Sequence, residues 1–145
     1  MDIFNTFKVS SSALKANTIR LNTISSNLAN VETTSTPEGG PYKKKSVYFE
    51  SRPLSFQKEL EGNMKNAVQG VKVTKILEDD SPARKVYNPS HPDAKEDGYV
   101  EMPNISVLKE MVDMMSATRA YQANVTTIKS AKRMALKTLE IGRYI

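Results

Sequence analysis

Both ends of this 145-residue chain are polar segments in which apolar residues recur on a heptad, and this constrains the fold more than any other feature. At the N-terminal end the apolar positions are Ile3, Phe7, Leu14, Leu21, Ile24, Leu28 and Val31, interrupted by Ser10 and Asn17. Between them sit mostly Ser, Thr, Asn, Lys and Ala. The spacing predicts a helix of about 28 residues, roughly 42 Å long, with one narrow apolar seam suited to a single partner helix. A stripe of two positions in seven is narrower than the face of a helix lying on a globular core.

The C-terminal segment begins after Pro103, with Asn104 or Ser106 as N-cap, and runs to about Ile141, where Gly142 can supply a left-handed cap. Its seam is Val107, Met111, Met114, Tyr121, Val125, Ile128, Ala135 and Leu139, broken by Thr118 and Lys132. A neighbouring row adds Leu108, Met115 and Leu136. This apolar face is wider than one partner helix covers, so the segment is expected to touch more than one neighbour. Methionines in such a face fill cores and also adapt to repeated interfaces.

Residues 37–103 differ in character and hold the prolines and five of the six glycines. Alternation at Val71, Val73 and Lys75, beside Val68 and Leu77, predicts a strand; Val47 and Phe49 predict another. From Pro82 to Pro103 the dipeptides Asn88-Pro89, His91-Pro92 and Asp97-Gly98 mark chain reversals. The expected class is mainly α: long N- and C-terminal helices paired as an antiparallel coiled coil, with a small β-rich insert between them. The expected divisions are 1–36 for the first helix, 37–103 for the insert and 104–145 for the second helix, pairing with 1–36.

Composition removes several function classes. Without cysteine there is no disulfide, thiolate metal site or thiol nucleophile. The net charge of +5 is spread over the chain, with 3 basic and 3 acidic residues in 1–40, 11 and 9 in 41–100, and 7 and 4 in 101–145. Nucleic-acid binders usually concentrate such charge on one face. No apolar run approaches the roughly 20 residues of a membrane span, and no apolar signal region follows Met1. Lys8, Lys15 and Arg20 give the first segment a basic amphipathic cast, but its seam is too narrow for strong membrane insertion.

Catalytic equipment is sparse. His91 is the single histidine, and no glycine-rich loop matches a phosphate cradle. His91 with Asp93, Glu96 and Asp97 lacks the spacing of an EF-hand or a paired-histidine metal site. No enzyme activity, cofactor or metal is expected. Lys43-Lys44-Lys45, flanked by Tyr42 and Tyr48, offers the alternative of a basic module binding nucleic acid or another anionic surface. The plainer reading of such a run is a solvated strand or loop.

The stretch Ser26-Asn27-Leu28-Ala29-Asn30-Val31, followed by Thr33-Thr34 and Pro37, resembles the N-terminal signature of the flagellar axial rod and hook protein family. Tyr87-Asn88-Pro89-Ser90-His91-Pro92-Asp93-Ala94, then Gly98-Tyr99-Val100 and Pro103-Asn104, is similar to rod members of that family, as is Met111 through Asn124. A glycine common after the first signature is replaced here by Thr34-Ser35-Thr36-Pro37.

The resemblance implies a structural component of the proximal rod of the bacterial flagellar basal body. In that family the terminal helices form an inner coiled-coil layer lining the export channel and the middle segment forms an outer domain. It further implies export through the flagellar type III apparatus without a cleaved signal peptide. Polymerisation in the periplasm with other rod subunits and neighbouring basal-body proteins, as homo- and hetero-oligomer, would follow, and interlocked helices would transmit torque. No nucleic acid and no direct membrane span belong to this picture. Helix packing and assembly are expected to rest on Phe7, Leu14, Leu21, Ile24, Leu28, Met111, Met114, Tyr121, Val125, Ile128 and Leu139. Asn17, Asn27, Asn30 and Asn124 are candidates for polar contacts that set register.

Overall fold

The structure, a computed structural model, describes residues 3–53 and 69–143. The first helix, α1, spans Ile3–Ala29. No proline or glycine interrupts it, and its hydroxyl and amide residues satisfy themselves locally: Ser12, Asn17, Thr18 and Thr23 each donate to a carbonyl three or four residues back. The helix stops without a left-handed residue. Asn30 Nδ2 donates to Ser26 O at 2.8 Å and Asn30 Oδ1 accepts from Thr33 Oγ1 at 3.2 Å, while Thr33 N donates to Asn30 O. Of the last-turn carbonyls, Ser26 O thus accepts twice and Leu28 O accepts from Val31 N at 3.5 Å, with no positive φ in the turn and so no need of a glycine there.

Strands β1 (Lys45–Pro53) and β2 (Gln69–Glu78) form an antiparallel ribbon, with Lys45 opposite Glu78 and Pro53 opposite Gln69. Register shifts between Tyr48 and Phe49, which pair with Lys75 and Val73, so Thr74 is the extra residue of a bulge. Both expected strands lie here, although Val68 falls outside the described residues. The ribbon packs on α1: Val71 N donates to Ser12 Oγ at 3.0 Å, and Val71 and Val73 line a cleft with Ala16 and Ile19.

A second antiparallel pair, β3 (Arg84–Tyr87) and β4 (Tyr99–Met102), closes the turn-rich stretch. Asn88 N donates to Gly98 O, Gly98 N donates to Lys95 O, and the Tyr87 and Tyr99 rings meet edge to face at 5.3 Å. Thr34 Oγ1 donates to Asp93 Oδ2 at 2.7 Å, fastening this loop to the segment that follows α1.

Helix α2 spans Val107–Arg143. Of the two proposed caps the structure uses Ser106, whose Oγ accepts from Lys109 N. Gly142 lies inside the helix and is not among the positive-φ glycines, so no left-handed cap forms there. The helices run in opposite directions side by side, since Asn27 near the end of α1 meets Glu110 in the first turns of α2, and Arg20 reaches Asp113 at 3.5 Å. That last pair is half exposed and contributes about 0–1 kcal/mol.

The expected mainly-α class is corrected. Helices of 27 and 37 residues stand beside strands of 9, 10, 4 and 4, arranged in two separate two-stranded sheets. Strand makes up 21% of the structure, with about half helical. The reason is physical: the extended segments described between the helices must pair their backbone groups, and they do so with each other in two antiparallel pairs large enough to count beside the helices. Among the described residues the apolar core comprises Ala16, Ile24, Val100, Pro103, Ile105, Ala117 and Ala131.

Candidate functional site

Three elements converge on one buried polar cluster. Asn27, only 1% exposed, uses its whole amide: Nδ2 donates to Lys45 O at 2.8 Å and to Glu110 Oε2 at 3.1 Å. Its Oδ1 accepts from Lys45 N at 2.9 Å and Tyr42 Oη at 3.2 Å. Glu110, 2% exposed, is the largest fully buried side chain among the described residues. Lys44 Nζ stands 2.6 Å from Glu110 Oε1 but off the hydrogen-bonding direction, so this contact is a charge pair and Oε1 is otherwise unbonded. Tyr42 Oη also lies 3.3 Å from Ser26 Oγ, and Lys45 Nζ sits 5.9 Å from the Tyr42 ring centroid. The cluster joins α1, the start of β1 and the start of α2.

The lysine run is consumed by these contacts. Lys43 pairs with Asp80 at 2.8 Å, Lys44 with Glu110, and Lys45 with Glu78 at 3.4 Å. The hydrogen bond and charge of Asp80 push the Lys43 ammonium above its usual range. His91 Nδ1 accepts from Asp93 N at 3.1 Å, so that nitrogen serves to hold the turn. Lys95 bonds Glu101, an exposed pair that raises the lysine and lowers the carboxyl from their ordinary values.

Along the helix pair, the fully buried positions are Ser10, Ala16, Thr23, Ile24 and Asn27 on α1, facing Glu110, Ala117 and Ala131 on α2. Of the residues expected to pack, Ile24 is buried; Phe7, Leu14, Leu21, Leu28, Met114, Val125 and Ile128 are half-buried. Met111, Tyr121 and Leu139 are exposed, Leu139 by 72%. Among the asparagines, Asn27 alone reaches other elements through its side chain; Asn17 and Asn124 bond within their own helices, and Asn30 bonds α1's last turn and Thr33. Glu110, Ala117 and Ala131 carry no sequence signal of the kind a hydropathy heptad detects. The stretch Val107–Met115 holds two acids, Glu110 and Asp113, and nothing in the sequence marks which of them is buried.

On the far side of α2 from these buried positions, its first turns expose Leu108, Met111, Val112 and Met115, with Leu108 at 75%. Farther along, the same side turns polar through Arg119, Gln122, Thr126, Lys129 and Arg133. Met134, Leu136, Leu139 and Ile141 are exposed near the end of the helix but are spread around it. No helix among the described residues is long and apolar enough to cross a membrane.

A buried polar cluster thus joins the two terminal helices, and apolar residues of α2 are left outside it. Residues 7–35 match the family described as "Flagella basal body rod protein", and residues 96–141 match "Flagellar basal body rod FlgEFG protein C-terminal". The first match contains Asn27 and the second contains Glu110. These matches place the chain in the class of structural proteins of the flagellar basal-body rod.

The flagellar basal-body rod protein FlgC of Bacillus subtilis (strain 168) is 47% identical over 150 residues, covering 99% of this chain and 100% of the relative. FlgC of Salmonella typhimurium (strain LT2) is 42% identical over 143 residues, covering 99% and 100%. FlgC of Borreliella burgdorferi is 42% identical over 149 residues, covering 97% and 98%. The chain belongs to the FlgC family of flagellar basal-body rod proteins, structural components of the basal body.

Proposed function

We propose that this chain polymerises with other rod subunits through its terminal helices, in the proximal part of a periplasm-spanning rod, transmitting torque and lining the export channel. The observation that carries this reading is the exposed apolar face on α2 formed by Leu108, Met111, Val112 and Met115. Contiguous apolar surface of this kind on a soluble monomer marks an interaction site.

Phe7, Leu14, Leu21, Leu28 and Leu139 are proposed to complete their packing against neighbouring subunits, in addition to any packing within the chain. Passage through the flagellar type III apparatus, and the absence of catalysis, belong to the same reading. The nucleic-acid alternative loses its motivation, because each lysine of the 43–45 run is engaged by a carboxylate.

The test is genetic and structural. Cells carrying Leu108→Asp together with Met115→Asp should lack basal-body rods by electron microscopy while the purified chain keeps its helix content. Motile cells with normal rods would remove the exposed face from assembly.

A further inference from the structure

The buried positions of the helix pair contain little that could fix where one helix sits along the other. On α2 the heptad Glu110, Ala117, Asn124, Ala131 faces inward, and beyond Glu110 its members are small or bonded to their own helix. Small residues let two backbones approach closely but present no large knob for a specific hole. A shift of two heptads sets Ala131 where Ala117 sat. The 37 residues of α2 outrun the 27 of α1 by more than a heptad, so a one-heptad slide loses little paired length.

Glu110 is the exception on this seam. A carboxylate taken out of water is costly unless it meets partners, and here Asn27 and Lys44 are those partners. A one-heptad slide toward the free end of α2 sets Asn27 against Ala117 and leaves Glu110 beyond the end of α1 without its amide partner, while a slide the other way brings Glu110 to Arg20 but withdraws the end of α1 from α2 and breaks the Arg20–Asp113 pair. A polar group buried at one position of a helix pair is the best-attested device for specifying register.

We propose that the buried Lys44–Glu110 charge pair, presented to Asn27, is the element that fixes the α1–α2 register, the apolar seam supplying adhesion without alignment. Lys44 comes from the segment leading into β1, so the same contact aligns the outer ribbon with the helix pair. This inference concerns the single chain and does not depend on the assembly reading above.

The test uses the full chain, which has no native cysteine to remove. Spin labels are placed through cysteines at Asn22 on α1 and Lys129 on α2, with a control pair at Asn22 and Glu50, all exposed positions. The background is compared with Lys44→Met combined with Glu110→Leu, which deletes both charges and leaves Asn27 bonded to Lys45. Pulsed electron spin resonance should give one dominant Asn22–Lys129 distance in the native background. The double variant should broaden it or add a population displaced by about 10 Å, one heptad of rise, while the control distance stays.

A double variant that keeps the single native distance overturns the proposal. So does one that loses its helix content by circular dichroism, because the pair would then supply stability and not alignment. A native background without one dominant distance would also overturn it.

Discussion

Asn27 and Lys45, 18 residues apart, are joined by two hydrogen bonds that copy a strand pair: the amide of one receives the backbone N–H and reaches the backbone carbonyl of the other. The helix thereby defines the first residue of β1. A side-chain amide is well suited to this, having a donor and an acceptor side by side in a plane. The third and fourth contacts, to Glu110 and Tyr42, leave Asn27 with no unused group.

Asn27→Ala should therefore strand buried groups on Lys45 and Glu110 at once. The expected loss is about 2–3 kcal/mol of chain stability, measured by urea denaturation, since each orphaned buried polar group costs about 1–3 kcal/mol. Asn30→Ala, whose bonds are confined to the end of α1 and Thr33, should cost about 1 kcal/mol or less. Equal losses at the two sites would contradict the role given to the cluster.

The small residues of the helix pair lead to a second expectation. Ala117 is fully buried, and Ala117→Leu inserts a side chain where the helices are in contact. Overpacking should cost about 1–3 kcal/mol in the isolated chain. Leu108→Asp, on the exposed side, should change isolated-chain stability by about 0.5 kcal/mol or less. Thermal melts of the two variants separate packing within the chain from surface left for other subunits.

Much of this architecture was legible from the sequence, and the failures have a common cause. Helix extents and the β1 and β2 segments follow from periodicity, which records large apolar side chains. The inward seam of Ser10, Ala16, Ala117 and Ala131 is silent in hydropathy, because close approach selects for smallness and not for greasiness. Glu110 was invisible for a related reason: a carboxylate in an apolar run reads as solvent-facing unless the partner amide, 83 residues away, is known. Strands β3 and β4, four residues each, were hidden among turn residues because their pairing is decided by backbone bonds and the Tyr87–Tyr99 contact. Met111 and Leu139 were read as seam members, and their exposure shows that a wide apolar face on a helix need not all point at its intrachain partner.

Glycine 98 supplies a third prediction. Its φ is +75°, and a Cβ there would stand 2.8 Å from Tyr87 Cε2, within the ring contact that closes the hairpin. Gly40 also has positive φ, at +78°, but open space around it. Gly98→Ala should cost both backbone strain and the displaced ring, about 2 kcal/mol or more, against about 1 kcal/mol for Gly40→Ala. Hydrogen exchange across β3 and β4 should accelerate in the first variant and not in the second.

The last prediction concerns pH and the same hairpin. The hydrogen bond from Lys95, followed by its charge, holds the Glu101 carboxyl below its ordinary value of 4.5, and the same contact holds Lys95 above 10.5. A carboxyl lowered on folding contributes stability that is present above its unfolded value and lost as pH falls through its folded value. A raised lysine contributes below 10.5 and loses that contribution as pH climbs through its folded value. The β3–β4 hairpin should accordingly be best protected across the neutral range and loosen first in acid, below the usual glutamate range. Both groups are solvent-exposed and the effect should shrink in high salt. Nuclear magnetic resonance of the Tyr87 and Tyr99 rings against pH gives the readout, and Lys95→Met should flatten the acid transition by removing the partner that lowers Glu101. An acid transition of unchanged position in Lys95→Met would assign the loosening to other carboxylates.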